Sequence, residues 1–139
     1  MPLNADEQAL RERFDNMYQV VQSPIVREIE RSVCGCDYGA TSWTTEAEAR
    51  RVGELLGLAP GRRLLEVGAG SGWPGLYLAR TTGCDVALVD VPLAGLRMAA
   101  ARAVADRLPG ACWIELADGA ALPFANESFD AVSHADVVC

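Results

Sequence analysis

Residues 63–75 read RLLEVGAGSGWPG. Leu64, Leu65 and Val67 make a short apolar run, the pattern of a buried strand. Glycines follow at 68, 70, 72 and 75. Leu76, Leu78 and Ala79 then lie in a helix that Gly83 closes. Gly70-x-Gly72-x-x-Gly75 matches the dinucleotide-binding fingerprint. That match is weak by itself and needs a strand before it, a helix after it and an acid about 20 residues on. All three are present, with Asp90 as the acid.

Outward from this turn, strand and helix signals alternate. Residues 84–90 (CDVALVD) read as a second strand. Pro92 opens an Ala-rich helix carrying Leu93, Leu96, Ala100, Val104 and Leu108, and Pro109-Gly110 stops it. Residues 111–117 (ACWIELA) read as a third strand, residues 118–128 (DGAALPFANES) as a loop, and Phe129 to Val132 as a fourth strand. Short strands joined through helices imply parallel pairing and right-handed crossovers. The expected fold class is therefore α/β: a Rossmann-like, doubly wound parallel sheet with strand order 3-2-1-4.

Upstream lie helices. Asn4 with Glu7 forms a capping-box pair ahead of Leu10, Phe14, Met17 and Val21 on one helical face. Ser23-Pro24 starts a second helix with Ile25, Ile29 and Val33 at helical spacing, and Gly35 ends it. Residues 36–45 (CDYGATSWTT) read as a loop. Thr45 and Glu48 cap a third helix whose buried side carries Val52, Leu55 and Leu56. The division expected is a helical cap over residues 1–45 and a ligand-binding domain over 46–139.

The chain has 139 residues and a formal charge of -7, with 19 acids and 12 bases. Every base is Arg. An acidic chain argues against nucleic acid or anionic membrane as partner. The absence of Lys excludes a P-loop. No apolar run approaches the roughly 18 residues of a membrane span, and the polar N-terminus is no secretory signal. Five cysteines at irregular spacing and one histidine predict reduced thiols in a cytoplasmic protein and no metal site.

Glu66 decides the ligand. It ends the first strand, two residues before Gly68. A pyrophosphate on the glycine turn would meet this carboxylate. Two unit charges at about 4 Å interact by roughly 1 kcal/mol in water and about 4 kcal/mol at an effective dielectric of 20. The interaction penalises a phosphate and attracts an ammonium group. S-adenosyl-L-methionine carries that ammonium, has a ribose for Asp90, and has no phosphate.

LLEVGAGSG resembles the first motif of class I S-adenosylmethionine-dependent methyltransferases, VALVDV the second, and LADGAALPFANESFDAV the third and fourth. The resemblance is to the small-molecule, type 11-like branch. It implies that Glu66, Gly68, Ala69, Gly70 and Gly72 hold the amino acid end of the cofactor. Asp90, with Val91, takes the ribose hydroxyls, and Asp118, with Gly119, the adenine amine. It further implies that the cap closes over the cofactor, which puts Tyr38, Trp43 and Thr44 near the site; packing within the cap is the alternative for Tyr38 and Trp43. The implied reaction is in-line methyl transfer to a small-molecule acceptor, leaving S-adenosyl-L-homocysteine. His134, after the fourth strand, is the candidate general base; lining the cleft or packing are its other readings. Resembling proteins continue beyond the point where this chain stops, at Cys139. The expectation is an N-terminal part of a methyltransferase, with a fourth-strand edge open to self-association. The competing readings are a non-catalytic cofactor-binding module and a nicotinamide- or flavin-binding domain.

Overall fold

A computed structural model describes residues 4–135. Three helices come first: α1 (Ala5–Val20), α2 (Pro24–Cys34) and α3 (Glu46–Leu55). The alternating part follows as β1 (Arg63–Val67), α4 (Gly75–Thr82), β2 (Asp85–Asp90), α5 (Leu93–Asp106), β3 (Cys112–Leu116) and β4 (Ala131–Ser133). The strands form one sheet in the order β3-β2-β1-β4, and every pairing is parallel. This is the doubly wound α/β fold read from the sequence. β1 has the predicted bounds, β2 starts one residue later, β3 loses one residue at each end, and β4 starts two residues later and ends one later than the sequence reading placed it.

The helix starts follow their local chemistry. Asn4 Oδ1 accepts from the Glu7 amide at 2.9 Å, and Glu7 Oε2 accepts from the Asn4 amide at 2.8 Å. Thr45 and Glu48 make the same reciprocal pair at the head of α3. Gly35 and Gly83 end α2 and α4 in left-handed conformation, where a Cβ would be strained.

The strand period of two sorts side chains between the faces of the sheet. Leu64, Val86 and Leu88 lie under α3, α4 and α5 in the larger core. Leu65, Ala87 and Val89 point the other way, where Val67, Ala117, Phe124 and Phe129 pack on them. Phe124 and Phe129 meet edge to face at 4.9 Å. They come from the loop between β3 and β4. Strand β4 pairs with β1, and no strand among the described residues covers its other edge. Val132 on that strand is 59% exposed.

Several apolar residues expected in the core are outside it. Leu55, Val104, Ile25, Ile29 and Val33 are exposed, and so is Leu10. In α5 the predicted series steps by four residues from Leu96 on, whereas a helix turns every 3.6. The buried line is Gly95, Leu96 and Ala99 with Ala103 beside it, and Val104 rotates out. In α3 the inward face is Ala49, Val52, Gly53 and Leu56. In α2 the inward residues are Glu30 and Cys34. The four described cysteines are free, and Cys139 lies outside the described residues.

Candidate functional site

The carboxyl ends of the strands, α1 and residues 40–42 enclose a cavity of about 700 Å³. Its floor is the glycine turn at Gly68, Ala69, Gly70 and Ser71; one wall is Asp90, Val91, Leu116 and Asp118. The place follows from topology, because an open α/β sheet leaves its crevice where strand order reverses. Here that reversal is between β1 and β4.

The turn is wound by its own hydrogen bonds. The Gly68 and Ala69 amides both donate to the Val89 carbonyl, at 2.8 and 3.1 Å. The Gly70 amide donates to Asp90 Oδ2 at 2.7 Å, and the Gly72 amide to the Ala69 carbonyl at 2.8 Å. Positive φ at Gly68, Gly70 and Gly72 makes this path available to glycine. Asp90 Oδ1 accepts from the Val91 amide at 2.8 Å. Each Asp90 oxygen has a second lone pair for a ligand donor. Burial pushes the Asp90 carboxyl up, and its two backbone bonds oppose that shift.

Glu66 behaves differently from its predicted role. It does not line the cavity. The strand alternation turns it beneath the start of α4, where it is 1% exposed and Oε2 accepts from the Gly75 amide at 2.9 Å. Burial pushes its carboxyl up to about 8, reinforced by Asp90 and opposed by the Gly75 amide. Below pH 4.5 the folded and unfolded chains both hold this proton. Between there and about 8 the unfolded chain releases it while the folded chain keeps it. Stability then falls as pH rises, by at most about 1.4 kcal/mol per unit. Denaturant midpoints are expected to drop across that window, and Glu66→Gln to flatten the slope. An unchanged slope in the variant would remove Glu66 as the cause.

Gly68, Ala69, Gly70, Asp90, Val91 and Asp118 line the cavity, whereas Glu66, Gly72, Gly119, Tyr38, Trp43, Thr44 and His134 do not. Gly72 is buried within the turn. Gly119 packs at Val67 behind Asp118. Tyr38 is buried against Trp73 at 5.0 Å, with the Arg102 guanidinium 4.1 Å from its ring centre. Trp43 is 70% exposed. Thr44 acts through its carbonyl, which accepts from Trp73 Nε1 at 2.9 Å. His134 is exposed, one residue before Ala135 on the cavity wall.

The cap contributes residues that the sequence reading did not single out for the site. Phe14, Met17 and Tyr18 of α1 and Thr41 and Ser42 of the loop line the cavity, as does Trp73 from the turn before α4. Tyr18 is 3% exposed and its ring lies on Gly70 and Gly95. Its hydroxyl is 3.5 Å from Thr41 Oγ1. Burial raises the Tyr18 pKa, so the phenol remains a proton donor. Asp15 of α1 accepts from the Ala94 amide at 3.0 Å and ties α1 to the start of α5. Phe14 and Met17 carried a signal, since they share the helical face read from the sequence. Tyr18, four residues after Phe14, falls on the same face, so the helical period carried a signal for it as well, although the sequence reading did not name it.

Fold and site together define a doubly wound ligand-binding domain with an acid-ended second strand and a helical cover. The family model described as "Methyltransferase domain" matches residues 65–139, and the chain belongs to that family. It is 37% identical over 79 residues to methyltransferase GfsG of Streptomyces halstedii, covering 57% of this chain and 28% of that protein. It is 30% identical over 95 residues to 24-methylenesterol C-methyltransferase 2 of Oryza sativa subsp. japonica, covering 68% of this chain and 26% of that protein. The chain thus spans about a quarter of the length of these curated relatives. Among solved structures, an S-adenosylmethionine-dependent methyltransferase from Thiobacillus denitrificans, in complex with S-adenosyl-L-homocysteine, superposes with a TM-score of 0.58 at 27% identity. That match covers 65% of this chain and 36% of the other. The [4+2]-cyclase SpnF superposes with a TM-score of 0.63 at 25% identity, over 88% of this chain and 47% of its own.

Proposed function

We propose that this chain is the cofactor-binding part of an S-adenosyl-L-methionine-dependent methyltransferase acting on a small-molecule acceptor. The observation that carries the reading is the pairing of Asp90 with the glycine turn. The turn's amides at 68, 69, 70 and 72 are already committed to protein acceptors. A pyrophosphate needs such amides, whereas a ribose needs the lone pairs that Asp90 retains. Ser71 Oγ, on the cavity floor, is buried without a partner. This orphaned hydroxyl beside an acidic wall fits a polar ligand.

When bound, the cofactor supplies an electrophilic methyl group on a sulfonium. The chain's own part is to hold and enclose. Asp90 takes the ribose hydroxyls, Asp118 the adenine amine, and Gly68, Ala69 and Gly70 let the ligand lie against bare backbone. Glu66 acts from behind the turn, fixing Gly75 and with it the start of α4. Tyr18, Phe14 and Met17 form the cover that excludes water and keeps donor and acceptor in line. His134 is supported as base by position alone, next to Ala135. Residues 1–45 act as the cap and 46–139 as the binding domain. A reducing, cytoplasmic setting suits the four free cysteines; among the described residues no helix is long and apolar enough to cross a membrane.

The test is calorimetry with S-adenosyl-L-homocysteine and with NAD. The former is expected to bind and the latter not; tighter NAD binding would sink the reading. Asp90→Ala is expected to weaken S-adenosyl-L-homocysteine by about 1.5–3 kcal/mol, roughly ten- to hundredfold. An unchanged affinity in the folded variant would make Asp90 a mere strand end. The alternative, a cofactor-binding module without its own activity, predicts the same binding but no methyl transfer by the 139-residue polypeptide. Among the described residues no strand covers the outer edge of β4, and such an edge favours self-association of that polypeptide. Light scattering after size exclusion is expected to report more than the monomer mass; a monomer at all concentrations would refute this.

A further inference from the structure

We infer that Glu30, outside the cavity, is the positioning residue that holds the cap-loop wall of the binding site. The inference rests on the proposed cofactor reading for its binding arm only. Glu30 lies in the middle of α2 and is 8% exposed. Its carboxylate accepts from three successive backbone amides: Tyr38 at 3.0 Å, Gly39 at 2.8 Å and Ala40 at 3.2 Å. The Cys36 thiol donates to the same group at 3.6 Å. Successive amides converging on one point form a nest for an anion, and here the protein supplies that anion from its own helix.

The orientation of α2 shows how strongly this contact is favoured. Ile25, Ile29 and Val33 face out, at 73%, 48% and 56% exposure, while a carboxylate faces in. Burying a charge is costly unless it is fully hydrogen-bonded, and the three amides meet that condition. The outer side of the loop is held as well. Asp37 pairs with Arg27 and with Arg31, and its carbonyl accepts from Arg102 Nη1 at 2.7 Å. The next residues along, Ala40, Thr41 and Ser42, are the loop's contribution to the cavity. Trp73 Nε1 fastens the far end at the Thr44 carbonyl. The wall therefore sits where the Glu30 nest puts it. Weakening the nest leaves the loop to be ordered at the expense of ligand affinity.

Glu30→Gln keeps the size of the side chain, removes its charge and sets an NH₂ donor against the amides. Two readouts separate positioning from mere stability. The first is S-adenosyl-L-homocysteine affinity by calorimetry for wild type, Glu30→Gln, Thr41→Val and the double variant. Glu30→Gln is expected to bind about tenfold more weakly. The double variant is expected to fall short of the product of the single effects, because both act through one loop. Full additivity, or wild-type affinity in folded Glu30→Gln, overturns the inference. The second is amide hydrogen exchange. The Tyr38, Gly39 and Ala40 amides are expected to be protected in the unliganded wild type and to lose protection in Glu30→Gln, while those of β1 do not change. If Glu30→Gln does not fold, wild-type exchange decides: unprotected amides at 38–40 overturn the inference, and slow exchange that S-adenosyl-L-homocysteine slows further supports it. A wild type that does not bind S-adenosyl-L-homocysteine refutes the cofactor reading, and exchange at 38–40 still tests the hold of Glu30 on the loop.

Discussion

Gly70→Val is expected to abolish cofactor binding, with a loss of at least about a hundredfold in calorimetry. Two effects combine. Gly70 has φ +52, a conformation that a β-branched residue adopts only with strain. A Cβ at this position would also fall on the Tyr18 hydroxyl, with the ring carbon Cζ 3.1 Å away. Tyr18 cannot yield easily, since its other side lies on Gly95, where an added Cβ would stand 2.8 Å from Cε2. The valine would therefore lift α1 off the glycine turn and open the cavity wall. It would also unseat the Gly70 amide from Asp90, and so disturb the ribose acceptor. The cap is thus the first thing the new side chain strikes. Gly70→Val with wild-type affinity would show that neither the turn nor Tyr18 shapes the site.

Gly75→Ala is expected to give the largest loss of stability among single-methyl changes near the site. Gly75 is at the start of α4 with an ordinary φ, so the backbone tolerates alanine there. The space does not. The new Cβ would fall on Glu66 Oε2 and lie 2.7 Å from Leu88 Cδ2, both in the fully buried layer between α4 and the sheet. Overpacking costs about 1–3 kcal/mol. Displacing Glu66 from the Gly75 amide leaves a buried donor unpaired, which costs about 1–3 kcal/mol more. Against a total stability of roughly 5–15 kcal/mol, the urea midpoint should drop sharply. Shortening Glu66 to Ser in the same chain should recover part of the loss, because the methyl group then has room. If the two changes are simply additive, Glu66 is not what Gly75 makes space for.

The alternating half of the chain was legible because its signals are local. A strand of Leu64, Leu65 and Val67, a glycine turn, and an acid ending the next strand specify one supersecondary unit, and repeating it specifies a parallel sheet. Capping boxes at Asn4 and Thr45 were legible for the same reason, since a cap is made by residues three apart. Asp90 could be placed at the site because it ends the second strand, and strand ends in this topology share one edge of the sheet; Asp118 was placed there by the resemblance to the methyltransferase motifs.

What the sequence left open is which way each cap helix faces and which of its residues reach the cavity. Ile25, Ile29 and Val33 look like a core stripe, yet Glu30 takes the inner face of α2. Three amides from residues 38–40 satisfy its carboxylate, and no spacing rule on α2 anticipates a partner eight to ten residues away in a loop. Tyr18 reached the site for a similar reason, through two glycines, 70 and 95, that are distant in the chain and leave room for its ring. Glu66 shows the converse. Its type and position were readable, but a strand places alternate side chains on opposite faces, and only the packing of α4 decided that this carboxylate lies beneath the turn. Local hydrogen bonding and period set the elements of this protein; burial, which depends on what each element meets, set the site.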